Sequence, residues 1–557
     1  MTTPDPARWL RRTLAKMPQL GLARLPDAPL PVVRDLWPGD PSRGANLLRG
    51  EIEFGGVTFR LGGASFTDAK ASQALRVAAH GFVWLRDLRA LGTDAARVHA
   101  RAMVAEWIAV ATEEKLAQRP DVAASRIAAW LGHYDFFAAS ADDGFRQSLM
   151  ARLVADARTL AAALPAEEQD ERALTAVKGL IAAAVALPEQ TGLMTRAMKV
   201  LPQEIQRQIL SDGTHCERSP AQLLAALQDL VEIRTLLQAG QTQAPPALAS
   251  AIERMAPVLR ALRHGDGGLA LFNGAREESS AAIEAVLTQA GRAGRVPSAM
   301  IEGGFQRLAA GRSLVIVDCG KPPGPGLDRF AHAGTLSFEL SVGRDRMIVN
   351  CGAAPAACGE WRDAARATAA HSTLVIADTS SSEVRDDGLG RKPEHVEQQR
   401  QEAGGAHWLE ASHNGWRRVF GAVHRRRLYV ADSGDDIRGE DAIEADNPQP
   451  FTIRFHLHPN VDANLQQDGE GVLLRLPSGS GWRLRADGAK MTLEESVYLG
   501  GASPRKSEQV VLTGYEDGPQ QVKWAITRVG YDVLLLTKEP KNFIRFWCVA
   551  FRKDLCS

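Results

Sequence analysis

Apolar positions recur along this chain with two different periods, and the change of period divides it. From about residue 67 to 310, Ala- and Leu-rich segments place apolar residues at i, i+3, i+4 and i+7, the spacing of an amphipathic helix. The clearest are ARAMVAEWIAVATEEKLAQ, FRQSLMARLVADARTLAAAL, ALTAVKGLIAAAVAL, SPAQLLAALQDLVEIRTLLQ and ALASAIERMAPVLRALR. Short polar or proline-containing breaks separate them, so neighbours are expected to stack as antiparallel hairpins, which can close into an α/α toroid but fit a solenoid or an irregular bundle equally well. Ser219-Pro220 reads as an N-cap followed by a first-turn proline.

After about residue 311 the period becomes two. SLVIVDCG, GTLSFELSVG, DRMIVNCG, STLVIAD, RRLYVAD, FTIRFHLHP, GVLLRL and YDVLLLT are short strands bounded by Gly, Asp, Asn or Pro. In LSFELSV, Leu336, Phe338, Leu340 and Val342 share one face, and Ser337, Glu339 and Ser341 the other. Repeated alternation of this kind predicts two antiparallel sheets packed as a sandwich. Upstream, GEIEFGGVTFRLGG reads as a short hairpin, and residues 1–30 as an amphipathic lead-in helix with a Pro-rich connector. The expected architecture is multidomain α+β. It comprises a lead-in with a hairpin (1–66), a helical toroid-like domain (67–310) and an antiparallel β-sandwich domain (311–557).

At 557 residues the chain exceeds what one ordinary core organises. With 45% hydrophobic and 24% charged residues, it has the composition of a globular protein. The formal net charge is zero, which leaves no global field to draw nucleic acid or anionic lipid. Arg425, Arg426 and Arg427 are expected on an edge strand, where basic residues discourage sheet-to-sheet association. The six cysteines are scattered without a CxxC pair, so no disulfide framework is expected. No apolar run approaches the ~18–20 residues of a membrane span. The N-terminal segment has neither the uninterrupted apolar core nor the small-residue cleavage site of a signal peptide, so a cytoplasmic location is expected.

Candidate chemistry gathers in three places. Asp212-Gly213-Thr214-His215-Cys216-Glu217-Arg218-Ser219-Pro220 concentrates a base, acids and a guanidinium in a loop between two helices. In the β half, His332, Asn350 and His371 come from separate strand ends, with Trp361 and Arg366 nearby; two histidines and an oxygen donor are a candidate zinc set, although Asn is a poorer ligand than Asp. The strand Phe451–Pro459 places Arg454, His456 and His458 on one face, a cationic stripe suited to a polyanion or simply a polar outer face. The Gly-rich turn at His264–Gly268 does not follow a strand, so it is not a nucleotide loop.

Three segments, DGTHCERSP, HAGTLSFELSVGRDRMIVNCG and WRDAARATAAHSTLVI, resemble the heparinase II/III family of polysaccharide lyases, and the likeness spans most of the chain. The resemblance implies an incomplete α/α toroid and a multi-sheet β domain, with an anionic polysaccharide or oligosaccharide in the cleft between them. It also implies β-elimination next to a uronate: neutralisation of the carboxylate, a base for the C5 proton and an acid for the leaving oxygen. His332 and His371 match the zinc-binding histidines of the family. The zinc aspartate position is Asn350, the catalytic histidine position is Phe330, an expected aspartate is Gly334, and the toroid tyrosine position is Gln222. An active enzyme would therefore use a substituted set. In it His215 is the base, Arg218 or Arg366 neutralises the uronate, and Tyr134 or His332 is the acid, with Glu217, Arg454, His456 and Trp361 contacting substrate. Two rivals stand beside it: a catalytically silent carbohydrate-binding protein and an intracellular scaffold.

Overall fold

The computed structural model describes residues 25–530, apart from short segments at 31–32, 55–56, 61–65, 67–71, 111, 166–171, 292–293, 355–358, 467–468 and 515–519. Most of the expected lead-in helix and the expected strand YDVLLLT lie outside the described residues. The expected hairpin is present, with Glu51–Phe54 paired antiparallel to Val57–Arg60.

Helices run from Pro41 to Ala290, and their starts follow capping chemistry. Asp142 accepts the Phe145 N–H (2.9 Å) ahead of Asp143–Ala163, and Ser72 accepts the Leu75 N–H ahead of Gln73–Gly81. Ser219 holds the N-cap position of Pro220–Ala239, yet its hydroxyl makes no capping bond. The proline in the first turn sets that start by fixing φ and by holding the residue before it extended. The helix Ala173–Ala186 is buried nearly all round and packs against Pro120–Gly132, Leu193–Gln208 and Pro220–Ala239. A helix apolar on every side belongs inside a bundle. Gly179 permits the closest of these approaches, since a Cβ there would stand 2.4 Å from Ala124 Cα. Among the described residues no helix is long and apolar enough to cross a membrane.

From Ala299 to Arg528 the described residues are mainly antiparallel sheet. One sheet has nine strands and another eight, and side chains of both share a single core. Phe338, from the nine-stranded sheet, stacks on Trp524 of the other at 5.6 Å between centroids, and Phe455 meets the same indole edge-on at 5.0 Å. The alternation expected in LSFELSV holds, but its polar face does not meet water. Glu339 and Ser341 are buried against the helical half.

The Arg425–Arg427 strand corrects one expectation. It lies inside the eight-stranded sheet, between Ala406–Trp416 and Asp436–Glu444, not at an edge. Arg426 points into the core and pairs with Asp441, while Arg425 and Arg427 on the other face pair with Glu410, Glu440 and Glu444. Neighbouring strands supply a carboxylate for each guanidinium, so the triplet is a cross-strand ion lattice.

Candidate functional site

The two halves meet along a seam of polar side chains, and most of the sequence-predicted site residues lie on it. Beyond the helix Leu193–Gln208 the chain makes a tight loop, closed by the Leu210 N–H to Thr214 O bond (2.9 Å) and by Asp212 accepting the Thr214 N–H (3.0 Å). The other oxygen of Asp212 accepts the Gly303 N–H (2.9 Å), and Ser211 bonds Glu302, so the loop is fastened to the start of the β half. His215 inside it is 1% exposed. Its Nδ1 accepts from the Glu217 N–H (3.3 Å), which leaves Nε2–H facing the Gln208 Oε1 at 3.4 Å. Burial, with Arg207 close by, holds its pKa down at about 4. Glu217 is buried beside it.

Arg218, in a left-handed backbone conformation (φ 56°), sends its guanidinium across the seam. Nε donates to Gly303 O (2.7 Å), Nη1 to Lys321 O (2.8 Å) and Nη2 to Asp318, and the group stacks on Phe305 at 5.1 Å. Its backbone oxygen accepts from Asn273 Nδ2 (3.0 Å), and Asn273 Oδ1 accepts the His332 N–H (3.2 Å). One asparagine thus joins the loop to the histidine cluster.

Beyond Asn273, His371 Nδ1 donates to Ala367 O (2.9 Å), which makes its Nε2 the acceptor for His332 Nδ1–H at 3.0 Å. Both rings are buried, and burial holds the His371 pKa at about 4 and His332 well below its ordinary value. Arg366 spends its guanidinium on the carbonyls of Ala331, Arg385 and Gly388, and its own carbonyl accepts the Ala333 N–H. Arg218, His332 and Arg366 are thus linked through Asn273 and Ala331, with His215 three residues before Arg218, and all four side chains are buried.

The candidate zinc set does not fit a metal. Asn350 Oδ1 is taken by the Ser372 N–H (3.0 Å) and Nδ2 faces Glu339 Oε1 (3.2 Å), so no oxygen joins the histidine pair. Among the described residues no group of three His, Cys, Asp or Glu is placed to hold a metal ion. Tyr134 is brought nowhere near this network by any bond: it is buried in the helical core, and its hydroxyl has no partner among the described residues. The cationic stripe is not an open face either. Its strand is flanked on both sides, and His456 is buried with Nε2 on Ala369 O (2.9 Å) and Nδ1 on the Ser496 hydroxyl (2.8 Å). Arg454 is half-buried, and Trp361 stays 39% exposed.

Two further ties escaped the sequence reading. His264 bonds Glu339 (2.8 Å) and Ser341 (2.8 Å), while Gly265 beside it lies so close to the Gly343 turn that a Cβ would stand 1.8 Å from Gly343 O. Glu277 accepts from the Tyr498 hydroxyl and lies 3.5 Å from His458, contacts that hold its carboxyl down at about 2. A lone Glu339 in an otherwise apolar and hydroxyl strand was the available signal; Tyr498 offered none.

Comparison with known proteins fits this two-part arrangement. The Heparinase II/III N-terminus model matches residues 105–293, and the Heparinase II/III-like, C-terminal model matches residues 292–525. The chain belongs to the heparinase II/III-like family. Within or beside that family it is similar to FtsZ-localized protein C of Caulobacter vibrioides (strain NA1000 / CB15N), with 32% identity over 533 residues, 91% of this chain and 90% of the relative. Among solved structures it is similar in fold to a heparinase III, with a TM-score of 0.72 at 14% identity over 94% of this chain and 89% of that one. It also resembles heparan sulfate lyase HepC from Pedobacter heparinus, with a TM-score of 0.58 at 15% identity over 94% and 87%. In this heparinase II/III-like chain, Phe330 is 44% exposed and carries the Arg329 guanidinium over its ring at 5.6 Å. Its phenyl ring has no ionisable group with which to move a proton there.

Proposed function

We propose that this chain is a non-catalytic member of the heparinase II/III-like family that serves as a cytoplasmic scaffold at FtsZ assemblies. The observation that carries the reading is the enclosure of every proton-transferring candidate at the seam. His215 and His332 are buried, held neutral, and bonded to neighbouring protein groups. General acid–base chemistry needs a group within hydrogen-bond reach of the substrate atom. Both arginines offered for the uronate already donate to protein acceptors. On this reading residues 67–310 are the toroid-like part and residues 311–557 the sandwich part of a lyase architecture kept for its shape. The FtsZ connection rests on the relative's name and on the near full-length match to it.

The rival is β-elimination on a uronate-containing glycan. Its support is the chain of contacts that links the His215 loop to His332 and Arg366 through Asn273 and Ala331. One experiment separates the two. Purified protein is incubated with heparan sulfate, hyaluronan and alginate while absorbance of the 4,5-unsaturated uronate is followed, and in parallel it is sedimented with polymerised FtsZ. We expect a flat trace and co-sedimentation. A rising trace that disappears in His215→Ala, with no protein in the FtsZ pellet, overturns the proposal.

A further inference from the structure

A cavity in the helical half shares no lining residue with the seam. It opens beneath residues 33–36, among the C-terminal parts of Pro120–Gly132, Ala173–Ala186 and Pro220–Ala239, with a cavity volume of about 70 Å³. Its walls are small and apolar, with Ala129, Ala182, Val185 and Leu236 among them. Its floor is charged. Lys178 donates from Nζ to Asp229 Oδ1 (2.7 Å) and to Glu232 Oε2 (3.1 Å). Asp229 also accepts the Thr175 hydroxyl (2.6 Å), and Glu232 accepts the Trp37 indole N–H. One ammonium therefore serves two carboxylates, Glu232 on the lining and Asp229 behind it, so Glu232 has only a share of a cation. Asp35 on the wall meets Arg86 (3.0 Å) and His133 (3.1 Å), and Arg34 at the rim shares Asp135 with Arg89.

The helix ends act in the same direction. Each helix C-terminus carries roughly half a negative charge from its aligned peptide dipoles, and three of them border this one space. Glu232 lies twelve residues beyond Pro220, or ~18 Å along the axis at the α-helical rise, so the cavity sits far from the Arg218 seam. An apolar wall with a few converging polar groups is the usual make-up of a small-molecule site. A bare inorganic cation would leave the wall unused, and an anion would meet Glu232.

We propose that this cavity binds a small aliphatic amine, with its stem against Ala182, Val185 and Leu236 and its ammonium on Glu232. Burial raises the Glu232 carboxyl above its ordinary range, so an incoming ammonium also favours the ionised form that receives it.

The test is isothermal titration of the full chain with n-butylammonium, 1-butanol and butyrate. We expect saturable binding of the amine, on the order of tenfold tighter than the alcohol, a gap set by one charge-assisted bond, and no binding of butyrate. Thr235 lines the cavity and bonds only the Val231 carbonyl of its own helix. Thr235→Phe, checked for an unchanged melting temperature, should fill the space and weaken the amine by about tenfold or more. Glu232→Gln should remove the preference for amine over alcohol. Equal binding of amine and alcohol, no binding of either, or an unchanged amine affinity in Thr235→Phe overturns the assignment.

Discussion

Two buried arginine–aspartate pairs, alike in chemistry, join different things. Arg426 and Asp441 face each other in register on adjacent strands, bonded at 2.7 and 3.1 Å. Arg426 also reaches Leu336 O and Ser372 O, and Asp441 accepts from His424 and Trp524. Arg218 and Asp318 stand a hundred residues apart, and the remaining acceptors of Arg218 are loop carbonyls at Gly303 and Lys321. The first pair is enclosed by two sheets and can be lost only by breaking them. The second can be lost by parting the helical half from the β half. The seam, not the sandwich core, is where this molecule has the means to open.

Substitutions at each pair test that contrast, and the largest effect is expected in the sheets. Asp441→Ala leaves a buried guanidinium, an imidazole and an indole N–H without their acceptor. Breaking a buried pair from one side costs about 3–5 kcal/mol, and we expect the urea midpoint to fall by that amount with one cooperative transition retained. Arg218→Ala should cost less, about 2–3 kcal/mol, because the stranded Asp318 carboxyl is already pushed up by burial and can take a proton. Its signature is different: far-UV circular dichroism, weighted to the helices, and tryptophan fluorescence should no longer trace the same curve. Coincident curves in Arg218→Ala and divergent ones in Asp441→Ala would reverse the comparison.

Acid sharpens it further. His215 and His371 have pKa values near 4 in the folded chain against an ordinary 6.5. Between those values the unfolded chain binds more protons, so the seam's stability is complete above pH 6.5 and is lost as pH falls towards 4. Each group contributes up to ~1.4 kcal/mol per pH unit in that window. Glu277, held near 2, contributes stability above its unfolded pKa near 4.5 that is lost only as pH falls further towards 2. Replacing His371 with Gln keeps an acceptor for His332 and removes the titration. Unfolding free energies at pH 6.5 and 4.5 should therefore differ less in His371→Gln than in the natural chain.

Periodicity made the two halves legible, because helix and strand patterns depend on local burial alone. The resemblance carried by three segments, not the period, suggested His215, Arg218, His332 and Arg366 as one set. What periodicity does not carry is the direction a polar face looks. Glu339 and Ser341 read only as the polar face of a strand, and the His264 turn covers them; Arg425–Arg427 read as an edge, yet carboxylates on both neighbouring strands enclose them. Both outcomes arise from long-range packing, which decides whether a polar row meets water, another domain or another strand. The helical cavity was equally hidden, since Lys178 and Glu232 belong to different helices and meet only in the folded bundle.

The smallest expected effect concerns metal. A ligand that binds only the folded chain stabilises it by about 2.7 kcal/mol at a hundred times its dissociation constant, so zinc at the seam would raise the melting temperature by several degrees. We expect no rise on adding zinc and no fall on adding a chelator, because His332 and His371 satisfy each other and Asn350 is committed to Ser372 and Glu339. A zinc-dependent rise that disappears in His371→Gln would mean that the histidine pair parts and Asn350 turns to meet an ion. The opening that the Arg218–Asp318 pair allows would then extend to the histidine pair in the folded chain.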